Sequence, residues 1–420
     1  MQSAIAELSL AVTAEPTDGL RFVARQPILD KRNRLHGYEL LFRMGPEASF
    51  RGDGDFATRS VIDSAVMFGL EKLTGNLPAF VNCTADAMSK QLAQILPPSI
   101  TVLEVLEDLE PTPELIESCR ELKAVGFRIA LDDFVWRPEL EPLVKLADYI
   151  KVDFVKSGEE ERKALIDRLR GTPICLLAEK IETQKEFKQA CKEGFTLFQG
   201  YYFCRPELLK NRGIPANYLS QIQLLKMMRQ ETLDLAQLAA LVKREPSLTH
   251  RLLRVVNSPI YALRQQVDSI ELALVVVGEE NFRRIATVAI TSDLNGGQTA
   301  EILRVAFARA RFCELAATCC NLVPSEQFLL GLLSMFPAML RISMEDLVPS
   351  LPLRKEISQA LMGTPNRERS LLRWVESHER GDWEGCDQVF KCNCFDPKKV
   401  QQFYFDAIFW AEAAISTADL

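Results

Sequence analysis

Glu39, Asn82, Glu104, Asp132 and Asp133 each lie within or directly after a short apolar run, and Lys151, Glu179, Glu182 and Gln199 occupy similar positions further along. Carboxylate and amide oxygens are hard donors of the kind that Mg2+ or Mn2+ prefers. Two such cations can clamp a phosphodiester and lower the pKa of a bound water, so this donor set fits metal-assisted phosphodiester hydrolysis at neutral pH. Taken singly, each acid has a competing reading as a helix cap after a strand. Convergence on one spot is what would make them a site.

Convergence requires a scaffold. Short β-branched runs at Phe22–Ile28, Gly37–Phe42, Ala79–Asn82, Thr101–Val105, Arg128–Leu131, Tyr149–Val152, Ile174–Ala178 and Phe198–Tyr202 alternate with amphipathic stretches. This is the pattern of parallel strands with crossover helices. Eight candidates imply a closed β/α barrel, in which strand ends distant in sequence meet at one mouth. Beyond Pro206 the runs give way to Leu, Ala, Arg and Glu at helical spacing, as in Leu224–Met228, Leu235–Val242 and Leu248–Val256, with Asp234 and Ser247 as N-caps. Leu272–Val277 also sits more easily in a helix than in a strand. The chain therefore divides into an N-terminal extension over 1–19, an α/β barrel over 20–208, an all-α domain over 209–410 and a tail over 411–420, with Pro206, Gly213 and Pro215 in the linker.

A length of 420 residues suits two cores, and 47% hydrophobic residues can fill both. The net charge of -7 argues against a general nucleic-acid binder. One basic stretch, Lys243, Arg244, Arg251, Arg254 and Arg264 with Glu245, reads as a solvated helix face. Eleven scattered cysteines fit reduced thiols, and Cys386, Cys392 and Cys394 lack the spacing of a zinc site. The first residues lack the basic start of a secretory signal, and the longest uncharged apolar stretch, Phe328 to Leu340, is too short to span a membrane. A cytoplasmic protein is expected.

Eight motifs run in order along the first half: Gln26-Pro27-Ile28, Tyr38-Glu39-Leu40-Leu41-Phe42-Arg43, Val81-Asn82-Cys83, Glu104-Val105-Leu106-Glu107, Asp132-Asp133-Phe134, Lys151-Val152-Asp153, Ala178-Glu179-Lys180-Ile181-Glu182-Thr183 and Gln199-Gly200-Tyr201. Together they resemble the EAL domain of cyclic di-GMP phosphodiesterases. The resemblance implies a TIM-like barrel with one metal on Glu39, Asn82, Glu104 and Asp132 and a second helped by Asp133. It also implies that Lys151 acts on the attacking water, that Glu179 completes the network, and that Glu107 braces the loop after Asp132. Gln26, Arg43 and Gln199 would meet cyclic di-GMP, and a homodimer is expected. Departures from the family are Leu40 beside Glu39, Val135-Trp136-Arg137-Pro138 in a loop usually rich in glycine, and Lys180 in a glycine position where it would pair with Glu179.

The second half resembles the HDOD domain, a relative of HD metal phosphohydrolases, through Leu252-Leu253-Arg254-Val255-Val256-Asn257-Ser258-Pro259-Ile260-Tyr261, Ser269-Ile270-Glu271-Leu272-Ala273, Gly278 and Gly331-Leu332-Leu333. Catalytic relatives carry His-Asp where this chain has Ser334-Met335, and residues 251–377 contain no histidine. The resemblance thus implies a non-catalytic regulatory or partner-binding half, with Asn257, Ser258 and Pro259 as a helix stop. Two readings of the whole stand at this point: a metal-dependent cyclic di-GMP phosphodiesterase, or an inactive receptor or scaffold for that nucleotide. DNA or RNA binding through the basic face is a third.

Overall fold

A computed structural model describes residues 21–44, 69–89, 92–106, 109–204, 216–228, 235–243, 246–257, 267–295, 299–351, 353–392 and 396–418. The first part is a closed barrel of eight strands in sequential order. These are β1 (Arg21–Asp30), β2 (Leu35–Met44), β3 (Ala79–Cys83), β4 (Thr101–Val105), β5 (Arg128–Leu131), β6 (Tyr149–Asp153), β7 (Cys175–Glu179) and β8 (Leu197–Gln199). β1 is antiparallel to both neighbours, while β2 through β8 run parallel. It is therefore the N-terminal half of β1, rather than a C-terminal strand end, that reaches the common mouth.

Alternation along each strand sorts residues inward and outward. Ile28, Phe80, Val102, Ala130, Tyr149, Leu177 and Leu197 form an apolar plug inside the barrel. The outward residues, Val81, Leu103, Ile129, Ile150 and Ala178 among them, pack under the surrounding helices. Thr112 and Thr183 cap the helices Pro113–Val125 and Gln184–Glu193, the latter through a full capping box. The expected strand Phe198–Tyr202 is shorter than its apolar run. At Gly200 φ is +139°, and a Cβ there would lie 2.1 Å from Ile181 O, so the chain turns into the 3-10 helix Tyr201–Cys204.

A short turn joins β1 to β2 without a crossover helix, so their outer face needs another cover. The second part of the chain supplies it. Arg25 and Tyr38, which face outward, meet the helices Ala300–Ala316 and Pro397–Ala418. Tyr38 Oη donates to both Glu301 oxygens at 3.2 and 3.0 Å, and Arg25 pairs with Glu412 at 2.9 Å while its guanidinium lies over the Tyr38 ring. Arg304 closes the cluster on Glu412 at 3.2 Å.

All regular elements described after residue 204 are helical. Ala216–Met228, Leu235–Lys243, Pro246–Val256 and Ile270–Val277 cover the expected helices, and Ser269 Oγ caps the last of them. Ser247 lies within the helix Pro246–Val256 rather than ahead of it. Asp234, Ser258, Pro259 and Cys394 lie outside the described residues, as does the extension 1–19. Asn257 does stop its helix, and it also latches the returning chain, donating to Val267 O and accepting from Val267 N, each at 2.7 Å. Lys243 pairs with Glu271 on the face read as basic. Cys386 is buried, with its Sγ 3.7 Å from Trp374 O. Among the described residues no helix is long and apolar enough to cross a membrane.

Candidate active site

One inward step from the apolar plug, every strand presents a polar side chain. Moving two residues toward the mouth takes Phe80 to Asn82, Val102 to Glu104, Ala130 to Asp132, Tyr149 to Lys151, Leu177 to Glu179 and Leu197 to Gln199. In β2 the step from Gly37 reaches Glu39. In the reversed β1 it runs backwards, from Ile28 to Gln26, which is opposite Glu39 in the register. Period-two alternation thus builds the whole ring, and strand tilt staggers its members.

Lys151 stands at the centre. Its Nζ lies 2.7 Å from Glu104, 2.8 Å from Asp132, 3.0 Å from Glu179 and 3.3 Å from Glu39. Gln199 Nε2 donates to Glu39 Oε2 at 2.5 Å and to Gln26 Oε1 at 2.9 Å. Asn82 pairs in register with Glu104 on the neighbouring strand. The structure therefore brings Gln26, Glu39, Asn82, Glu104, Asp132, Lys151, Glu179 and Gln199 to one rim. Arg43 is in β2, but its side chain lies outside the described residues, and so does all of Glu107.

The electrostatics follow from burial. Four carboxylates against one ammonium leave a formal -3 around a lysine with no solvent exposure. Burial alone would push Lys151 down, but Glu104, Glu179, Glu39 and Asp132 together hold it well above the usual lysine range. For Glu104, burial and the like charges of Glu39 and Asp132 win over Lys151 and raise its carboxyl. Burial likewise raises Glu179, to about 8, against the pull of Lys151. A fixed cation and two carboxyls that burial drives toward their protonated forms thus share one buried cluster.

The donor set fits divalent cations. Asn82 Oδ1, Glu104 Oε2 and Gln199 Oε1 are buried acceptors with no hydrogen-bond donor, a costly state that a cation relieves. Among the described residues no three His, Cys, Asp or Glu side chains are already spaced as a cage; the ammonium of Lys151 holds the point the acids share.

Asp133 departs from the ring. Its φ is +38°, and its carboxylate turns to Lys156 at 3.0 Å, with Lys180 at 3.8 Å. Lys180 does not pair with Glu179 as expected. It takes a left-handed φ of +56°, and its Nζ bonds Asp153 Oδ2 at 2.5 Å. Asp153 also accepts from the backbone N–H groups of Val155 and Lys156, and these bonds hold its carboxyl below the usual range despite burial. Its role in seating this lysine was not read from the sequence, although the acid itself ends a recognised strand. The loop after Phe134 has its own shape, with Trp136 packed edge-on against Phe134 and under Arg168. Beside it a cavity of about 230 Å³ is lined by Asp132, Asp133, Val135, Arg137 and apolar side chains.

Comparison with known proteins agrees with this architecture. Residues 71–206 match the EAL domain and residues 214–347 the HDOD domain. "Uncharacterized protein YuxH" of Bacillus subtilis (strain 168) is 34% identical over 400 residues, which cover 93% of this chain and 97% of the relative. "Cyclic di-GMP phosphodiesterase CdgJ" of Vibrio cholerae serotype O1 is 33% identical over 405 residues, or 95% of this chain and 94% of the relative. The chain belongs to the EAL–HDOD family.

In the HDOD half, the position after Gly331-Leu332-Leu333 carries no acid or histidine. Ser334 Oγ donates to Gly331 O at 2.7 Å and accepts from Arg309, which is buried in an ion pair with Glu379 at 2.7 Å. An arginine and its partner thus occupy the neighbourhood.

Proposed function

We propose that the EAL barrel hydrolyses cyclic di-GMP to the linear dinucleotide, with two bound Mg2+ or Mn2+ ions. The ring of eight inward polar side chains, one from each strand, carries this reading. Glu39, Asn82, Glu104 and Asp132 would hold one ion, and Asp133 would help hold the second after leaving Lys156. When bound, the ions would polarise the phosphodiester and generate a nucleophile from water at neutral pH.

The chain's own residues would do the rest. Lys151, kept protonated by the acids around it, would orient the attacking water and steady the charge that builds on phosphate oxygen. Glu179, whose carboxyl burial raises to about 8, would hold a proton and pass it to the departing oxygen. Gln199 fixes Glu39, and Gln26 and Arg43 would meet the substrate. The HDOD half would be a non-catalytic regulatory or partner-binding unit, and a homodimer is part of the proposal.

A second reading, an inactive cyclic di-GMP receptor, is favoured by Asp133 being held by two lysines. Incubation of the full chain with cyclic di-GMP and Mn2+, beside Glu39→Ala, separates the two. Linear product that disappears in the variant supports hydrolysis. Tight binding without product supports the receptor.

A further inference from the structure

A hydrogen bond ties the barrel's ring to the HDOD half. Arg380, Gly381 and Asp382 form the turn between the helices Arg367–Glu379 and Trp383–Cys392. Gln26 Nε2 donates to Arg380 O at 2.9 Å. The turn is built firmly: Gly381 N–H reaches His378 O at 3.0 Å, Asp382 N–H reaches Ser377 O at 2.9 Å, and Glu379 just before it is locked to Arg309. Gly381 has φ +68°, and a Cβ there would lie 2.7 Å from Leu41 Cδ1, so the turn sits directly against β2 beside the ring. The Arg380 guanidinium lies over Tyr201, just past the end of β8.

A backbone carbonyl only accepts hydrogen bonds, which dictates the amide orientations that follow. The Gln26 atom facing Arg380 O must be its NH2 group, so Oε1 faces Gln199. Gln199 must therefore present its own NH2 group to Gln26, and the same nitrogen serves Glu39. That leaves Gln199 Oε1 as the buried acceptor without a donor. If the Arg380 carbonyl moved away, the Gln26 amide would be free to turn over and set NH2 against NH2.

We infer that the Arg380–Gly381 turn of the HDOD half is a positioning element of the barrel's site, fixing Gln26 and, through it, Gln199 and Glu39. Gln26 and the turn act as positioning residues, since the carbonyl works through two amides. Movement of the helical half would thus alter the site without any contact to substrate. The inference rests on the phosphodiesterase reading only for its functional consequence.

The test uses full-length wild type, Gly381→Pro, Gln26→Met and the double variant. Proline cannot keep φ near +68° and lacks the N–H that His378 O accepts, so the turn must rebuild. Two readouts apply: exchange protection of the Gln26 and Gln199 side-chain amides by NMR, and Mn2+ affinity by paramagnetic resonance. Expected results are protection in wild type, its loss at Gln199 in Gly381→Pro, and a fall in Mn2+ affinity of about 10- to 100-fold, the range for removing an outer-shell partner of a ligand. The double variant should bind as Gln26→Met does, because both changes cut one chain. Unchanged Gln199 protection in Gly381→Pro, or losses that multiply in the double variant, would overturn the inference. Should Gly381→Pro not fold, Gln26→Met alone decides, and full Gln199 protection there overturns it. Wild type without turnover but with turn-dependent Gln199 protection removes the hydrolase reading and leaves the inference standing; turnover with indifferent protection does the reverse.

Discussion

Lys151 Nζ lies 2.7 Å from Glu104 Oε1, and neither side chain reaches solvent. A buried ammonium shared by four carboxylates lets the cluster exist without other cations. Removing it by Lys151→Met should destabilise the metal-free protein most at alkaline pH, by about 3–5 kcal/mol, the range for stripping one partner from a buried pair. The loss should shrink as pH falls through about 8, where Glu179 takes up its proton, and urea unfolding on either side of that pH checks this.

The acids themselves set a pH dependence. Glu179 titrates near 4.5 when unfolded and near 8 when folded, so across that window the native state holds more protons than the unfolded one. Stability from this group is therefore present below about 4.5 and declines as pH rises to about 8. Glu104 shifts in the same direction. Melting of chelator-treated protein should show this decline, and added Mn2+ should raise the melting temperature most at the alkaline end, where no protons need displacing.

Gln199→Leu removes the donor that holds Glu39 and Gln26 together. Mn2+ affinity should fall about 10- to 100-fold with little change in fold, as for other partners that orient a ligand. Calorimetric titration beside a far-UV spectrum measures both.

The polar cluster between the halves should be energetically coupled. Arg25→Met leaves the Glu412 carboxylate partly buried beside Glu301, at a cost of about 3 kcal/mol. Combined with Glu412→Gln the loss should be less than the sum of the singles. A double-mutant cycle by denaturant unfolding gives the coupling, expected at about 0.5–3 kcal/mol.

What the sequence made legible was whatever depends on local alternation. Strand runs ending in Asn82, Glu104, Asp132 and Glu179 carry their own direction, because a two-residue period separates core from site on each strand. The inversion of β1 left no such trace, since a strand reads alike in either sense. Lys180 was matched to the adjacent Glu179, whereas a left-handed backbone swings its side chain to Asp153. Contacts such as Tyr38 with Glu301 and Gln26 with Arg380 join residues hundreds of positions apart, and no local pattern encodes them. The absence of histidine from residues 251–377 was readable, but not that Arg309 and Glu379 would pair there.

Diffraction from crystals grown with Mn2+, recorded at the manganese absorption edge, tests the central claim most directly. The account predicts anomalous density among Glu39, Asn82, Glu104 and Asp132, with the Lys151 ammonium displaced from the point it now shares with those acids. Ordered side chains with Lys151 still seated among them and no anomalous peak would contradict it.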